Sequence, residues 1–169
     1  EASEKIDGNF DAIINVQGDE PLLVAEQVKE LMSCFDDTST QLATLATPVV
    51  NEADLFNEGE VFVVFDKNRK ALYFSRSIIP HIRGVHKTKW LEHHTFYKHV
   101  GLYAYTCNAL KEFAYMNPTS LEKTESLEQN RWLENGQSIK VAITHYDTIP
   151  VDTIDDLEKV RAIVKNIEG

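Results

Sequence analysis

The sequence predicts an α/β domain built on a doubly wound, mostly parallel sheet with one antiparallel hairpin excursion. Three observations lead there. Short apolar runs without alternation, such as "DAIINVQ" at 11–17, read as strands covered on both faces. Stretches with apolar residues at i, i+3, i+4 and i+7 follow and read as helices. A chain of 169 residues, 43% hydrophobic and 26% charged, can bury one core but not two, so a single domain over 1–169 is expected.

The first strand ends at Gln17, leaving Asp19 and Glu20 just past its carboxyl end. Val28, Leu31, Met32 and Phe35 form a helical stripe closed by the polar "DDTST" turn. "QLATLATPVV" at 41–50 reads as the next strand and "NEADLF" as a short capped helical turn. "VFVVFDKNRKALYFSR" at 61–76 holds two β-rich segments around a charged turn containing Asn68, the pattern of a hairpin. Residues 80–99 have no clean period and carry five of the six histidines, which predicts a long loop or lid. "VGLYAYT" resumes as a strand, and "CNALKEFAYM" follows as a helix stopped by Asn117-Pro118. Thr119 and Glu122 have capping-box spacing and open one helix that ends at Asn135-Gly136. "IKVAITHY" is the last strand. Thr153 then caps a helix with Asp155 and Asp156 in its first turn, held on the core by Ile154, Leu157, Val160, Val164 and Ile167.

A formal net charge of -10 argues against a nucleic-acid partner, because phosphate-backbone binders concentrate Lys and Arg. Cys34 and Cys107 show no CxxC or Cys-His spacing, which predicts a reduced, cytoplasmic setting. No apolar run approaches the roughly 20 residues that span a bilayer, so no membrane partner is expected. The opening "EASEKIDGNF" reads as the tail of a helix followed by a turn, and predicts that the chain is cut from a longer one.

Two motifs carry chemical promise. "QGDEP" at 17–21 and "VDT" at 151–153 each place an aspartate after an apolar strand, where ligands collect in open α/β sheets. Asp19 and Asp152 brought together would form a hard oxygen site suited to Mg²⁺ and phosphate. Two polar residues ending two strands is the other reading, and spacing does not choose between them. His81, His86, His93 and His94 show no HExxH pattern and are not expected to hold zinc. Lys87, Lys89 and Lys98 read as a solvated rim, or as a field attracting an anion, and Trp90 and Trp132 as packing residues.

Five segments, "NVQGDEPLL", "ALYFSRSIIP", "KHVGLYAY", "SLEQNRWLENG" and "IPVDTIDDLEKVR", stand in the order and approximate spacing of the 3-deoxy-manno-octulosonate cytidylyltransferases, which the chain resembles from residue 11 to its end. "QGDEP" recurs in related sugar nucleotidyltransferases; the five together are specific. The resemblance implies a doubly wound fold with a dimerising hairpin and a Mg²⁺-dependent enzyme. Its reaction is attack of the anomeric hydroxyl of Kdo on the α-phosphorus of CTP, giving CMP-Kdo and pyrophosphate for lipopolysaccharide synthesis. CTP and Kdo are then the small-molecule substrates, and a homodimer is expected of the full-length protein.

By position, the resemblance makes Asp19 and Asp152 the metal ligands and the catalytic pair. It sets Gln17, His99, Tyr103, Glu128 and Gln129 around the sugar. Arg76 is set facing the sugar carboxylate, which a guanidinium takes with two parallel hydrogen bonds. Taken without the resemblance, Arg76 reads as a hairpin-end salt bridge, His99 as a structural core histidine, and Glu125 and Glu134 as solvated helical acids. The family's phosphate loop, of the type "ARxxSxRLPGKPL", and its cytosine-contacting segment have no counterpart here. The 169-residue chain is therefore expected to be catalytically deficient and aggregation-prone when made alone, with the N-terminal strand missing from its sheet. Rival readings are a cytidylyltransferase for another acidic sugar, and a non-catalytic sugar-acid binding or dimerisation module.

Overall fold

The computed structural model describes residues 10–146, 151 and 153–167. The expectations for the opening tail at 1–9 and for Asp152 lie outside these described residues. Among the described residues six strands form one sheet: β1 (Ile13–Asn15), β2 (Leu42–Pro48), β3 (Phe62–Phe65), β4 (Ala71–Ser75), β5 (Tyr97–Tyr105) and β6 (Lys140–Ile143). Helices α1 (Ala25–Ser33), α2 (Glu52–Leu55), α3 (Trp90–His93), α4 (Cys107–Tyr115), α5 (Ser120–Glu125), α6 (Gln129–Glu134) and α7 (Ile154–Ile167), with 3-10 turns at Cys34–Asp36 and Lys87–Lys89, complete the described elements. None of the described helices is long and apolar enough to cross a membrane.

The sheet runs β4-β3-β5-β2-β6, with β1 added beside β5. The α/β class agrees with expectation, but the strand directions do not. Among the described strands only β2 and β6 pair parallel; β5 is antiparallel to β1, β2 and β3, and β3 and β4 form the expected antiparallel hairpin. Continuous apolar runs report burial on both faces and carry no record of direction, so the mostly parallel reading went beyond its signal. β1 also departs from expectation, since its residues are only half-buried or exposed and Phe10 and Val16 beside it are 48% and 50% exposed. Among the described residues it pairs on one side only, with β5.

The period-2 geometry of β2 sends alternate residues to opposite faces. Ala43 and Leu45 pack with Leu31 and Cys34 under α1, while Leu42 and Ala46 join Phe74, Ala109, Trp132 and Val141 under α4 and α6. Helices therefore cover both faces, the doubly wound arrangement. Burial pushes the Cys34 thiol up to about 11, so it packs as a small apolar group. The stretch at 80–99, read as a loop or lid, is largely irregular up to residue 96 and packs around Trp90 and Phe96, whose rings stack at 5.8 Å in a satellite core with Leu55 and Phe62, while residues 97–99 begin β5. Lys98 is not on a rim: it is 8% exposed and ion-paired to Asp54 and Glu60 at 3.5 and 3.4 Å. In α7, Val160 is buried, but Ile154 and Val164 are 79% and 37% exposed, so the expected stripe touches the core only in part.

The single helix read from Thr119 to Asn135 is two helices. The capping box is there, with the Thr119 amide donating to Glu122 Oε2 at 3.0 Å. Ser126 then takes a left-handed conformation, φ 54°, and ends α5. α6 restarts at Gln129 and is fastened to the sheet by Asn130, which is fully buried. Its Nδ2 donates to the Phe74 carbonyl at 3.0 Å and its Oδ1 accepts from the Phe74 amide at 3.4 Å. The side-chain amide thus stands in for a neighbouring strand along β4. Asn130→Ala leaves both Phe74 groups unpaired in the core and is expected to lower unfolding free energy by about 2 kcal/mol or more, measured by urea denaturation; a change under about 0.5 kcal/mol contradicts this anchoring.

Candidate active site

The longest strand, β5, has two neighbours along one edge and a gap between them. β3 meets it at Phe62–Lys98, with the His99 amide donating to the Val61 carbonyl at 2.7 Å. β1 meets it at Tyr103–Tyr105. Between these, no described strand pairs with that edge. On the opposite edge β2 shifts register between Thr44 and Leu45, so Gly101 and Leu102 of β5 bulge out of the ladder. A pocket of about 280 Å³ opens over this stretch.

Six side chains singled out in the sequence line that one pocket: Gln17, Arg76, His99, Tyr103, Glu128 and Gln129. They come from separate elements. Gln17 follows the carboxyl end of β1, Arg76 follows that of β4, and His99 and Tyr103 share one face of β5 with ring centroids 5.2 Å apart. Glu128 and Gln129 arrive through the break between α5 and α6, which a continuous helix would not have aimed here. Asp19 does not line the pocket. It sits half-buried in the next turn, where its carbonyl accepts from the Val151 amide at 2.9 Å, so the loops after β1 and β6 meet there. No side chain among the described residues pairs with the Asp19 carboxylate. The loop after β6 is held from the other side as well, since the buried Gln27 donates to the Tyr146 carbonyl at 3.2 Å.

Of the two acids read as solvated, Glu134 is exposed as expected while also bonding a helix start, and Glu125 is half-buried. Glu134 Oε2 accepts from the Leu121 amide at 2.8 Å, at the start of α5. Glu125 joins α5 to the hairpin end, accepting from Ser75 Oγ at 2.7 Å, Tyr73 Oη at 3.1 Å and the Arg76 amide at 3.0 Å. Burial raises its pKa, but the hydrogen bonds from Arg76, Ser75 and Tyr73 together outweigh that and hold the carboxyl below its ordinary value. Arg76 Nε donates to the Glu125 carbonyl at 2.9 Å, which orients the guanidinium and leaves its terminal nitrogens for a ligand. The salt-bridge reading of Arg76 is thus replaced by a backbone-anchored one.

Burial lowers the His99 pKa to about 3 and raises that of Tyr103 well above its ordinary value, so both stay neutral in the physiological range. Gly101 is a site residue that the motifs do not mark, although a lone glycine inside a strand pattern signals a bulge or a close backbone approach. A Cβ built there would stand 3.0 Å from Gln17 Oε1. The side chain of Gln17 crosses the strand because Gly101 has none.

A pocket in which one guanidinium, two side-chain amides, a carboxylate and two neutral rings converge beside a second carboxylate-bearing turn defines an α/β protein with a polar small-molecule pocket. Known proteins narrow the class. A family model described as cytidylyltransferase matches residues 1–139. A 3-deoxy-manno-octulosonate cytidylyltransferase of Parabacteroides distasonis is 51% identical over 98% of this chain and 68% of its own length. One from Bacteroides thetaiotaomicron is 49% identical over the same shares. The solved structure of a CMP:2-keto-3-deoxy-manno-octonic acid synthetase complexed with CTP superposes with a TM-score of 0.85 at 35% identity, covering 98% of this chain and 65% of that one. The chain belongs to the cytidylyltransferase family, and spans about two thirds of the length of these relatives.

Gly101→Ala is expected to displace the Gln17 amide by several tenths of an ångström while costing less than about 1 kcal/mol, since the clash falls on the end of a flexible side chain. A crystal structure and a urea titration of the variant check this; an unmoved Gln17 contradicts it.

Proposed function

We propose that this chain carries the sugar-acid site of a 3-deoxy-manno-octulosonate cytidylyltransferase, which joins Kdo to the cytidylyl group of CTP and releases pyrophosphate. What carries the reading is the convergence of Gln17, Arg76, His99, Tyr103, Glu128 and Gln129 on one pocket, beside the turn that holds Asp19. The relatives' names and the CTP complex of the structural neighbour supply the substrates.

Arg76, already oriented through its Nε, takes the sugar carboxylate with its terminal nitrogens. Gln17, Glu128 and Gln129 offer donors and acceptors to sugar hydroxyls, and the Tyr103 ring lines the apolar side of the sugar. A histidine whose pKa is about 3 is a poor proton acceptor at neutral pH, so His99 serves as a hydrogen-bonding residue and not as a general base. These contacts hold the anomeric hydroxyl in line with the α-phosphorus, and the hydroxyl loses its proton as the new phosphorus–oxygen bond forms and pyrophosphate leaves. Hard carboxylate oxygens fit Mg²⁺, and the Asp19 carboxylate has no side-chain partner among the described residues, while the Asp19 carbonyl accepts from the Val151 amide in the loop that bears Asp152. Asp19 and Asp152 would hold the ion, which when bound neutralises phosphate charge and polarises phosphorus.

The reaction fits a cytoplasmic setting. A homodimer is supported by the outer face of the hairpin, where Leu72 is 63% exposed; sedimentation equilibrium of the full-length protein at micromolar concentration is expected to give twice the monomer mass, and a monomer removes that part of the reading. Any sugar acid of similar size offers Arg76 a carboxylate, so another acidic sugar, such as an 8-amino Kdo or a sialic acid, is the second reading.

With the full-length protein, Arg76→Lys is expected to raise the KM for Kdo by about 10- to 100-fold and leave the KM for CTP within about threefold. Asp19→Asn is expected to lower kcat by about 100-fold or more with Mg²⁺ saturating. A pyrophosphate-release assay over a panel of sugar acids measures both effects. Turnover of sialic acid ahead of Kdo, or an Arg76→Lys enzyme with native kinetics, contradicts the reading.

A further inference from the structure

His99 has one ring nitrogen committed and one open. Its Nε2 lies 2.9 Å from Thr44 Oγ1. Thr44 is fully buried on β2, opposite the bulge in β5. Its hydroxyl also lies 2.9 Å from the Leu102 carbonyl and 3.4 Å from the Val100 carbonyl. Carbonyl oxygens only accept, and the hydroxyl has a single proton. Given to the nearer carbonyl, Leu102 at 2.9 Å, that proton leaves the oxygen to accept from His99. The ring then donates from Nε2. In a neutral imidazole the other nitrogen is then a bare acceptor. Nδ1 has no partner among the described residues, and the ring lines the pocket. Phe74 and Tyr103, with centroids each 5.2 Å from that of His99, restrict the ring's tilt.

We infer that Thr44 is a positioning residue: through the bulge of β5 it fixes His99 as the Nε2–H tautomer, so that Nδ1 accepts a hydrogen bond from a hydroxyl of the bound sugar acid. This rests on the sugar-acid reading of the pocket and deepens it. The bulge is what makes the device possible, because it brings the carbonyls of residues 100 and 102 to one hydroxyl. In a regular ladder those carbonyls would serve the neighbouring strand. It also sets a chemical selection at this position, where a ligand hydroxyl is accepted and a ligand carbonyl or ether oxygen is refused, since two acceptors face each other.

The test has a spectroscopic and a kinetic arm. In ¹⁵N-detected imidazole spectra of the full-length protein, His99 is expected to show a protonated Nε2 and an unprotonated Nδ1 from pH 5 to 8. A protonated Nδ1, or an imidazolium in that range, overturns the proposal. Thr44→Val keeps the side-chain volume but removes the acceptor, and is expected to mix the tautomers and raise the KM for Kdo about tenfold, with kcat and the KM for CTP within about threefold. Thr44→Ser is expected to restore the native tautomer and KM. A Thr44→Val protein with native tautomer and native KM overturns the proposal. If His99→Ala leaves the KM for Kdo unchanged while the Nε2–H tautomer is seen, then the sugar-acid reading of this position is what fails, and the acceptor role of Nδ1 falls with it.

Discussion

The molecule turns on the divided edge of β5. One strand receives the hairpin at its start and β1 at its end, and the stretch between is given neither. Backbone left unpaired in a sheet must be covered or occupied. Here it forms the floor of a pocket, and the bulge on the other edge at Gly101 and Leu102 curves the strand around it. Every residue assigned to the sugar acid is placed by reference to that gap.

What surrounds the gap is held by polar links of unusual length in sequence. Asn130 joins α6 to β4 across 56 residues, Glu125 joins α5 to the hairpin end across about 50, and Gln27 joins α1 to the loop after β6 across 119. Each link consists of hydrogen bonds from a buried or half-buried side chain to backbone or hydroxyl groups, where an unmade bond costs more than a made one contributes. The site is thus rigid because its supports are specific, while Arg76 and Gln17 remain exposed enough to meet a ligand. The neutrality of His99 belongs to the same scheme, since the packing that fixes the ring also buries it and lowers its pKa to about 3.

The order of strands and helices was legible from periodicity and punctuation, down to the Thr119 capping box and the Thr153 cap. Strand direction was not, because alternation and apolar runs look the same whichever way the partner runs. The break at Ser126 was hidden too, for a serine in the left-handed region carries no glycine-like mark. Lys98 read as a rim residue because its partners, Asp54 and Glu60, lie some 40 residues away in sequence, and Glu125 read as solvated for the same reason. Six site residues were legible only through the resemblance of whole segments; composition and spacing alone would have left His99 a core histidine. Gly101 and Thr44 act through what they do to a neighbour, and one-residue patterns do not record that.

The most direct test of the account is a crystal structure of the full-length protein with CTP and Kdo bound. The sugar is expected over Gly101, with its carboxylate on the terminal nitrogens of Arg76, a hydroxyl within hydrogen-bond reach of His99 Nδ1, and the α-phosphate toward Asp19. Sugar density outside this pocket, or a carboxylate turned away from Arg76, would contradict it.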